Sequence, residues 1–321
     1  MEFIRFVLRI ENIHIHFENL FEIMLESLQH IIDNIYLVQG MNNGRFPFSH
    51  SILIINTSDE AVLIDTGCGI ETLEKIKNQF QIYQIINSHT HPDHSAGNWV
   101  FKDTSERIQV PIEGFSTSGN LMALSDRFTK PGTLAKYWRG FISGELMNFR
   151  DCKPTHSYDS RTQFEIGDTL LLPFYTPGHS IDHYCLYEPN HQILFSFDYD
   201  LDTSFGPWYG HHESSIPNFK MSVKRIMDLK MRTLVSAHRG VIKEQIYPQL
   251  KEYYKIFSTR TDHIRSLLEA GIVKIDQLVE KAPIYREFPY AESLLKYWEG
   301  EMIKKHIVEL QEMGEYTNIK I

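Results

Sequence analysis

Several marks of large protein classes are missing from this chain. Its three cysteines, Cys68, Cys152 and Cys185, are odd in number, widely spaced and without a CxxC pair. That excludes a disulfide framework and suits reduced thiols in a cytoplasmic setting. No apolar run approaches the length of a membrane span. The apolar start Met1–Ile10 contains Glu2 and runs into further acidic residues, unlike a signal peptide. Positive charge is also short: 32 Lys and Arg stand against 41 Asp and Glu, a formal net of −9. This argues against a nucleic-acid binder held by bulk electrostatics, because phosphate affinity rests on Lys and Arg. What is present is 321 residues, 42% of them hydrophobic, enough for one large core and a smaller appendage.

The densest chemistry lies in six residues, His89-Thr90-His91-Pro92-Asp93-His94, just after the apolar run Gln81–Ile86. Imidazole nitrogen and carboxylate oxygen are the usual ligands of zinc and its first-row neighbours. Four such groups on one loop are hard to explain as packing. Further metal-competent residues follow three other strand-like runs. His179 comes after Leu170–Tyr175, Asp198 after Ile193–Phe197, and His238 after Thr233–Ala237. A single His or Asp at such a place is more often structural, but four strands each delivering one at the C-terminal end form a site.

The set His89, His91, Asp93, His94, His179, Asp198 and His238 resembles the metallo-β-lactamase-fold hydrolase superfamily, and Val62–Gly67 is similar to that family's strand-and-turn element. The resemblance covers roughly residues 33–245 and in layout is nearest the lactamase-beta-like and glyoxalase II-like branch. It implies an α/β fold, a four-layer αβ/βα sandwich with a helical insertion, a small C-terminal helical domain and two divalent metal ions along one edge. By position, His89, His91 and His179 hold the first ion; Asp93, His94 and His238 hold the second; Asp198 bridges them. Asp65 is expected to orient a ligand imidazole. Zinc is the first choice of metal, with manganese or iron admitted by the same donors.

The rest of the chain divides around this core. Residues 1–32 read as an arm followed by an amphipathic helix over 17–25, and 33–245 as the catalytic domain, with its first strand in Asp33–Gly40 and a hairpin of Ser51–Asn56 with Ala61–Ile64. Between His94 and His179, residues 115–160 predict a helical insertion, Leu121–Phe128 and Leu134–Phe141 broken by Pro131-Gly132, leaning over the metals as a lid. Tyr137, Trp138, Arg139, Phe141 and Met147 are its candidate pocket residues. Residues 246–321 predict helices over Tyr247–Leu268, Ile275–Val279 and Ser293–Leu310, similar in order to a winged-helix-like domain. With 12 Lys/Arg against 13 Asp/Glu from Lys243 onward, that tail lacks a basic face, so a buttress or homodimer contact is its expected role.

The implied chemistry is a metal-bridging hydroxide attacking a small ester, thioester or lactone, with Asp93 as its hydrogen-bond partner and later proton donor. Ser180 reads as a capping hydroxyl. His91 disfavours an oxygen-reducing di-iron site, where relatives carry an acidic residue, and Asp198 disfavours antibiotic hydrolysis, where two relative groups carry Cys. Tyr199 adjoins Asp198 directly, whereas lactone-hydrolysing relatives place a tyrosine a few residues later. Gly206–His212 is an aromatic, His-rich loop in which Tyr209 or His211 is a catalytic candidate, offering a hydrogen bond to the substrate. Arg239 is a candidate for an anionic substrate group. The alternative is a metal-dependent phosphodiesterase or ribonuclease, kept open by Arg127, Lys130, Lys136 and Arg139 in the insertion. A scaffold with a relict site is disfavoured by retention of all seven ligands.

Overall fold

The computed structural model describes residues 27–56, 59–105 and 107–320; the helix expected over 17–25 lies outside the described residues. One sheet holds, in spatial order, β1 (Leu28–Ile32), β2 (Ile35–Val38), β3 (Ser51–Ile55), β4 (Glu60–Ile64), β5 (Gln81–Ile86), β6 (Arg107–Pro111) and β7 (His156–Tyr158). Its first four strands pair antiparallel and its last four parallel. The other sheet holds β8 (Phe164–Ile166), β9 (Thr169–Tyr175), β10 (Tyr184–Glu188), β11 (Ile193–Phe197), β12 (Thr233–Ser236) and β13 (Gly240–Ile242). Here only β11 and β12 run parallel. The first sheet begins at Leu28, inside the segment read as an arm.

Both faces of each sheet are covered, which is why the strands read as unbroken apolar runs. Alternation then decides which layer each side chain joins. Ile52, Ile54, Val62 and Ile64 meet Leu186, Phe195 and Val235 between the sheets. Leu53 and Leu63 point the other way, onto Leu73 and Ile76 of α1 (Ile70–Gln79). On the far side Cys185, Leu194 and Leu234 pack against Phe219, Val223 and Ile226 of α5 (Ile216–Met227) and Leu250 and Tyr253 of α6 (Ile246–Glu269). The order helix, sheet, sheet, helix is the expected four-layer sandwich. Cys68, Cys152 and Cys185 are free thiols.

Two helical additions close one edge. In the insertion, α3 (Leu121–Phe128) starts at Asn120, whose side chain accepts from the Ala123 amide, satisfying one orphan donor. After Pro131-Gly132 comes α4 (Thr133–Ser143). At the C-terminal end α6 stops before Gly271, whose φ of 86° and N–H to Leu268 carbonyl make it a left-handed cap. It is followed by α7 (Ile275–Val279) and α8 (Glu292–Glu312); no strand follows Ile242 among the described residues. α8 serves two neighbours: Leu294, Leu295 and Trp298 join the cluster of the insertion, while Met302, Ile303, Ile307 and Leu310 join the cluster around α6. Among the described residues, no helix is long and apolar enough to cross a membrane.

Candidate metal centre

The hexapeptide leaves the C-terminal end of β5 as a loop and closes into one helical turn, α2 (Pro92–Ser95), with proline at its first position, where its missing N–H costs nothing. The turn sits flush on the strand-and-turn element of β4. An added Cβ at Gly67 would lie 1.5 Å from the Asp93 carbonyl oxygen, so only glycine admits it. Asp65, held at φ 60°, accepts the Ser88 amide and hydroxyl, each at 2.7 Å. His179 follows β9 behind Gly178, where a Cβ would strike the Phe219 backbone at 2.3 Å. The parallel pair β11 and β12 brings Asp198 and His238 to the same edge.

Four strand ends thereby converge. Two groups of donors form, His89, His91, His179 and Asp198 in one, and Asp93, His94, His238 and Asp198 in the other, with donor atoms within 4.8 Å of one another in each. Asp198 belongs to both. Its Oδ2 lies 3.0 Å from His179 Nε2 and 3.9 Å from His89 Nε2, and its Oδ1 lies 2.8 Å from His94 Nε2 and 3.5 Å from His238 Nε2. His91 turns Nδ1 to His179 Nε2 at 2.9 Å, and His238 Nε2 is 3.6 Å from Asp93 Oδ2. Tetrahedral ligands about 2.0–2.1 Å from a zinc ion stand about 3.3 Å apart, so these spacings frame a cation in each group. The donor directions fit as well. His89 Nε2, His94 Nε2 and Asp198 Oδ1 are fully buried and make no hydrogen bond, which leaves donor atoms of both groups free for a cation.

The outer nitrogen of each imidazole is tied down, which fixes the ring. His94 Nδ1 meets Asp65 Oδ2 at 2.7 Å, His238 Nδ1 the Gly44 carbonyl at 2.7 Å, His179 Nδ1 the Trp208 carbonyl at 3.1 Å, and His89 Nδ1 the Ser88 hydroxyl at 3.1 Å. His91 Nε2 meets His211 Nε2 at 3.0 Å. Burial, then the neighbouring imidazoles, hold His89 and His91 well below the ordinary histidine range, leaving them neutral and ready to donate lone pairs.

A cavity of about 940 Å³ opens over both groups, with His91, Asp93, His179, Asp198 and His238 in its floor. Several candidate residues are placed elsewhere. Tyr209 is buried against the C-terminal helices outside the cavity lining, where its hydroxyl accepts from Arg260 at 2.9 Å and lies 2.7 Å from His306 Nε2. His211 lies outside the cavity lining as well and touches His91 on the side away from the donor group. The Tyr199 hydroxyl is spent on the Thr176 and Pro177 carbonyls, and Ser180 is buried outside the cavity lining. Of the insertion residues, Trp138 and Phe141 line the cavity, whereas Tyr137, Arg139 and Met147 do not. Arg239 lines its rim with one guanidinium nitrogen bonded to the Leu201 carbonyl at 2.7 Å.

Two residues of the site escaped the sequence reading. His183, four residues beyond His179, bonds Thr176 Oγ1 at 2.9 Å and accepts the Asp198 amide at 3.4 Å, tying two ligand loops together. Asp182 accepts the Thr90 amide at 3.1 Å and Arg127 Nη2 at 2.9 Å, and Arg127 Nε reaches Glu213 at 2.6 Å. Arg127 is thus a buried strut between insertion and ligand loop, which removes it from any basic groove. The only signal was the extra His and Asp in His179-Ser180-Ile181-Asp182-His183.

Two outcomes follow from these groups. Asp182→Asn leaves Arg127 short of its main partner in a buried setting and is expected to cost about 3 kcal/mol in urea unfolding; a loss under about 1 kcal/mol, the value of a surface pair, would contradict the strut. The second is a pH profile. Burial lowers His50 to about 4 and His183 to about 3. Below the ordinary value of about 6.5 the unfolded chain takes up protons that the folded chain refuses, so stability falls as pH drops. Burial also opposes charge on His238, but Asp198 and Asp93 outweigh it and raise that group to about 9. Its contribution is complete below about 6.5 and is lost as pH rises through the raised value. Thermal melts of the metal-free protein are expected to peak near pH ~6.5, and saturation with zinc to remove the alkaline decline; an alkaline decline unchanged by zinc would contradict the assignment of His238.

A model of the metallo-beta-lactamase superfamily matches residues 45–238. Human acyl-coenzyme A thioesterase MBLAC2 is 26% identical over 209 residues, which cover 58% of this chain and 70% of the relative. A beta-lactamase-like protein 2 homolog of Caenorhabditis elegans is 20% identical over 276 residues, 83% of this chain and 81% of the relative. Among solved structures, the metallo-beta-lactamase family protein TTHA1429 from Thermus thermophilus aligns with a TM-score of 0.67 at 18% identity, over 89% of this chain and 95% of that one. A beta-lactamase domain protein from Burkholderia ambifaria aligns at 0.65 with 14% identity, over 89% and 88%. The sandwich, the convergent donors and the family match together make this chain a hydrolase of the metallo-beta-lactamase superfamily.

Proposed function

We propose that the chain hydrolyses thioesters with two divalent cations, zinc by first preference. His89, His91 and His179 hold one, Asp93, His94 and His238 the other, and Asp198 joins them. The observation that carries this reading is the pair of donor groups sharing Asp198 beneath a cavity whose deeper walls are apolar. Thioester is preferred among carbonyl substrates because the human, bovine and chicken relatives named acyl-coenzyme A thioesterase are each 26% identical to this chain.

When bound, the cations polarise the scissile carbonyl and make water nucleophilic near neutral pH. The protein's own groups do the rest. The anchored imidazoles keep the donors fixed, so little reorganisation accompanies the reaction. Burial, offset in part by His94, raises the Asp93 carboxyl. With Oδ2 turned to His94 and His238, Asp93 keeps its other oxygen, Oδ1, to accept a proton from the attacking water and return it to the leaving sulfur. Trp208 packs its ring 5.9 Å from His91 and 5.7 Å from His179, shielding that side of the floor from water.

The phosphodiesterase alternative is disfavoured by the lining itself. Among the described residues, Arg45 and Arg239 are its only Lys or Arg, set against Asp200, Asp202 and Glu287. Lys130, Lys136 and Arg139 lie outside it, and Arg127 is consumed in its buried ion pairs. A panel of thioesters, lactones and phosphodiesters, run beside metal analysis, tests the reading. His89→Ala is expected to lower kcat/KM for the preferred thioester at least a thousandfold, about 4 kcal/mol of barrier. Turnover that survives this change would sink the mechanism; phosphodiester cleavage alone would replace it with the alternative.

A further inference from the structure

The cavity is polarised along its length. Above the first donor group it is apolar and buried. His91 faces the ring of Phe128 at 4.8 Å, Phe128 stacks on Trp138 at 4.9 Å, and Trp208 meets Trp298 edge-on at 5.6 Å. Beyond them Ile142 of α4 and Leu294 and Leu295 of α8 form the inner wall, all buried. That wall is a joint construction: the Trp298 indole donates to the Phe128 carbonyl at 3.0 Å, and the Trp208 indole to the Tyr285 hydroxyl at 2.7 Å. Above the second donor group the lining is polar and of mixed charge, with exposed Arg45 and Arg239 sharing it with Asp200, Asp202 and Glu287. Arg239 directly follows His238, and Arg45 directly follows Gly44, whose carbonyl holds His238.

We propose that the chamber between α4 and α8 is an acyl-chain subsite, with the thioester carbonyl beneath Trp208 and an anionic thiol carrier leaving across Arg45 and Arg239. The proposal rests on the thioester reading and assigns a direction to it: chain over His91 and His179, carrier over His238. Water adds to the acyl carbon, the carbon–sulfur bond breaks and the sulfur takes a proton, giving a fatty acid in the chamber and a free thiol at the rim. Apolar lining without a partner for a polar acyl group selects an unsubstituted chain. Each methylene buried raises kcat/KM about fourfold, the equivalent of roughly 0.8 kcal/mol, until the chamber is full. Leu294, at the inner wall, sets where that limit falls.

Acetyl-, octanoyl- and hexadecanoyl-coenzyme A are the test substrates, with variants matched to wild type in metal content and melting temperature. Leu294→Trp shortens the chamber and is expected to lower the ratio of kcat/KM for octanoyl- over acetyl-coenzyme A at least tenfold. Leu294→Ala is expected to shift preference toward the hexadecanoyl chain. If the Trp variant does not fold, the Ala variant and calorimetric titration of metal-free wild type with octanoic acid carry the test. Binding that Leu294→Ala alters at least threefold supports the subsite. Arg45→Gln is expected to raise KM severalfold for octanoyl-coenzyme A but not for octanoyl-N-acetylcysteamine, which lacks the anionic carrier. Cleavage of thioesters with one length profile in wild type and both Leu294 variants, or unaltered acid binding, overturns the subsite and leaves the thioester reading standing. No cleavage of any thioester by wild type overturns that reading itself.

Discussion

The two oxygens of Asp198 face different sets of imidazoles, and this shared carboxylate is the constraint around which the edge of the sandwich is organised. Buried at the end of β11, an isolated carboxylate would be strongly disfavoured by desolvation. It persists because His94, His179, His238 and His89 surround it and hold its pKa well below the ordinary range against that burial. The same crowding leaves donor atoms without hydrogen-bond partners, a costly arrangement in a protein interior unless a cation completes it. The supporting ring of Asp65, His183, His211 and backbone carbonyls is correspondingly well satisfied. Strain at Asp65 and the two tight glycines, Gly67 and Gly178, lie in the turns that aim the donors.

Much of this was legible because it is local. Each donor follows an apolar strand by a residue or a short loop, so strand recognition and ligand recognition supported each other. The insertion helices were readable from their apolar spacing and the Pro131-Gly132 break, and α6 from its spacing and Gly271. The unread parts depend on long-range placement. Arg127 looked like surface charge, and only the fold shows it bonded to Asp182, 55 residues further along the chain, and to Glu213. Tyr209 and His211 share one loop, yet α6 and α8 draw the tyrosine into their core while the histidine backs onto His91. Sequence spacing carries no such direction in irregular backbone. His183 failed for the opposite reason, since a further histidine beside a ligand gives no sign of whether it donates to metal or to backbone.

The additions to the sandwich define what the edge can accept. Neither the insertion nor the C-terminal segment walls the cavity alone. Trp298 bonds the insertion's backbone and Tyr285 bonds Trp208 of the aromatic loop, so the chamber exists only where the three meet. The C-terminal helices thus line the cavity as well as support the sandwich. It also explains the poor fit of the lining to nucleic acid, because the charge at its rim is mixed and the depth is apolar.

Metal stoichiometry tests most directly whether one carboxylate, Asp198, serves two cations. Metal-free protein titrated with zinc and followed by calorimetry and elemental analysis is predicted to bind two equivalents per chain. Asp198→Asn, which keeps the shape and removes the charge, is predicted to retain no more than one. Two equivalents bound equally well by wild type and Asp198→Asn, or fewer than two by wild type, would contradict the account.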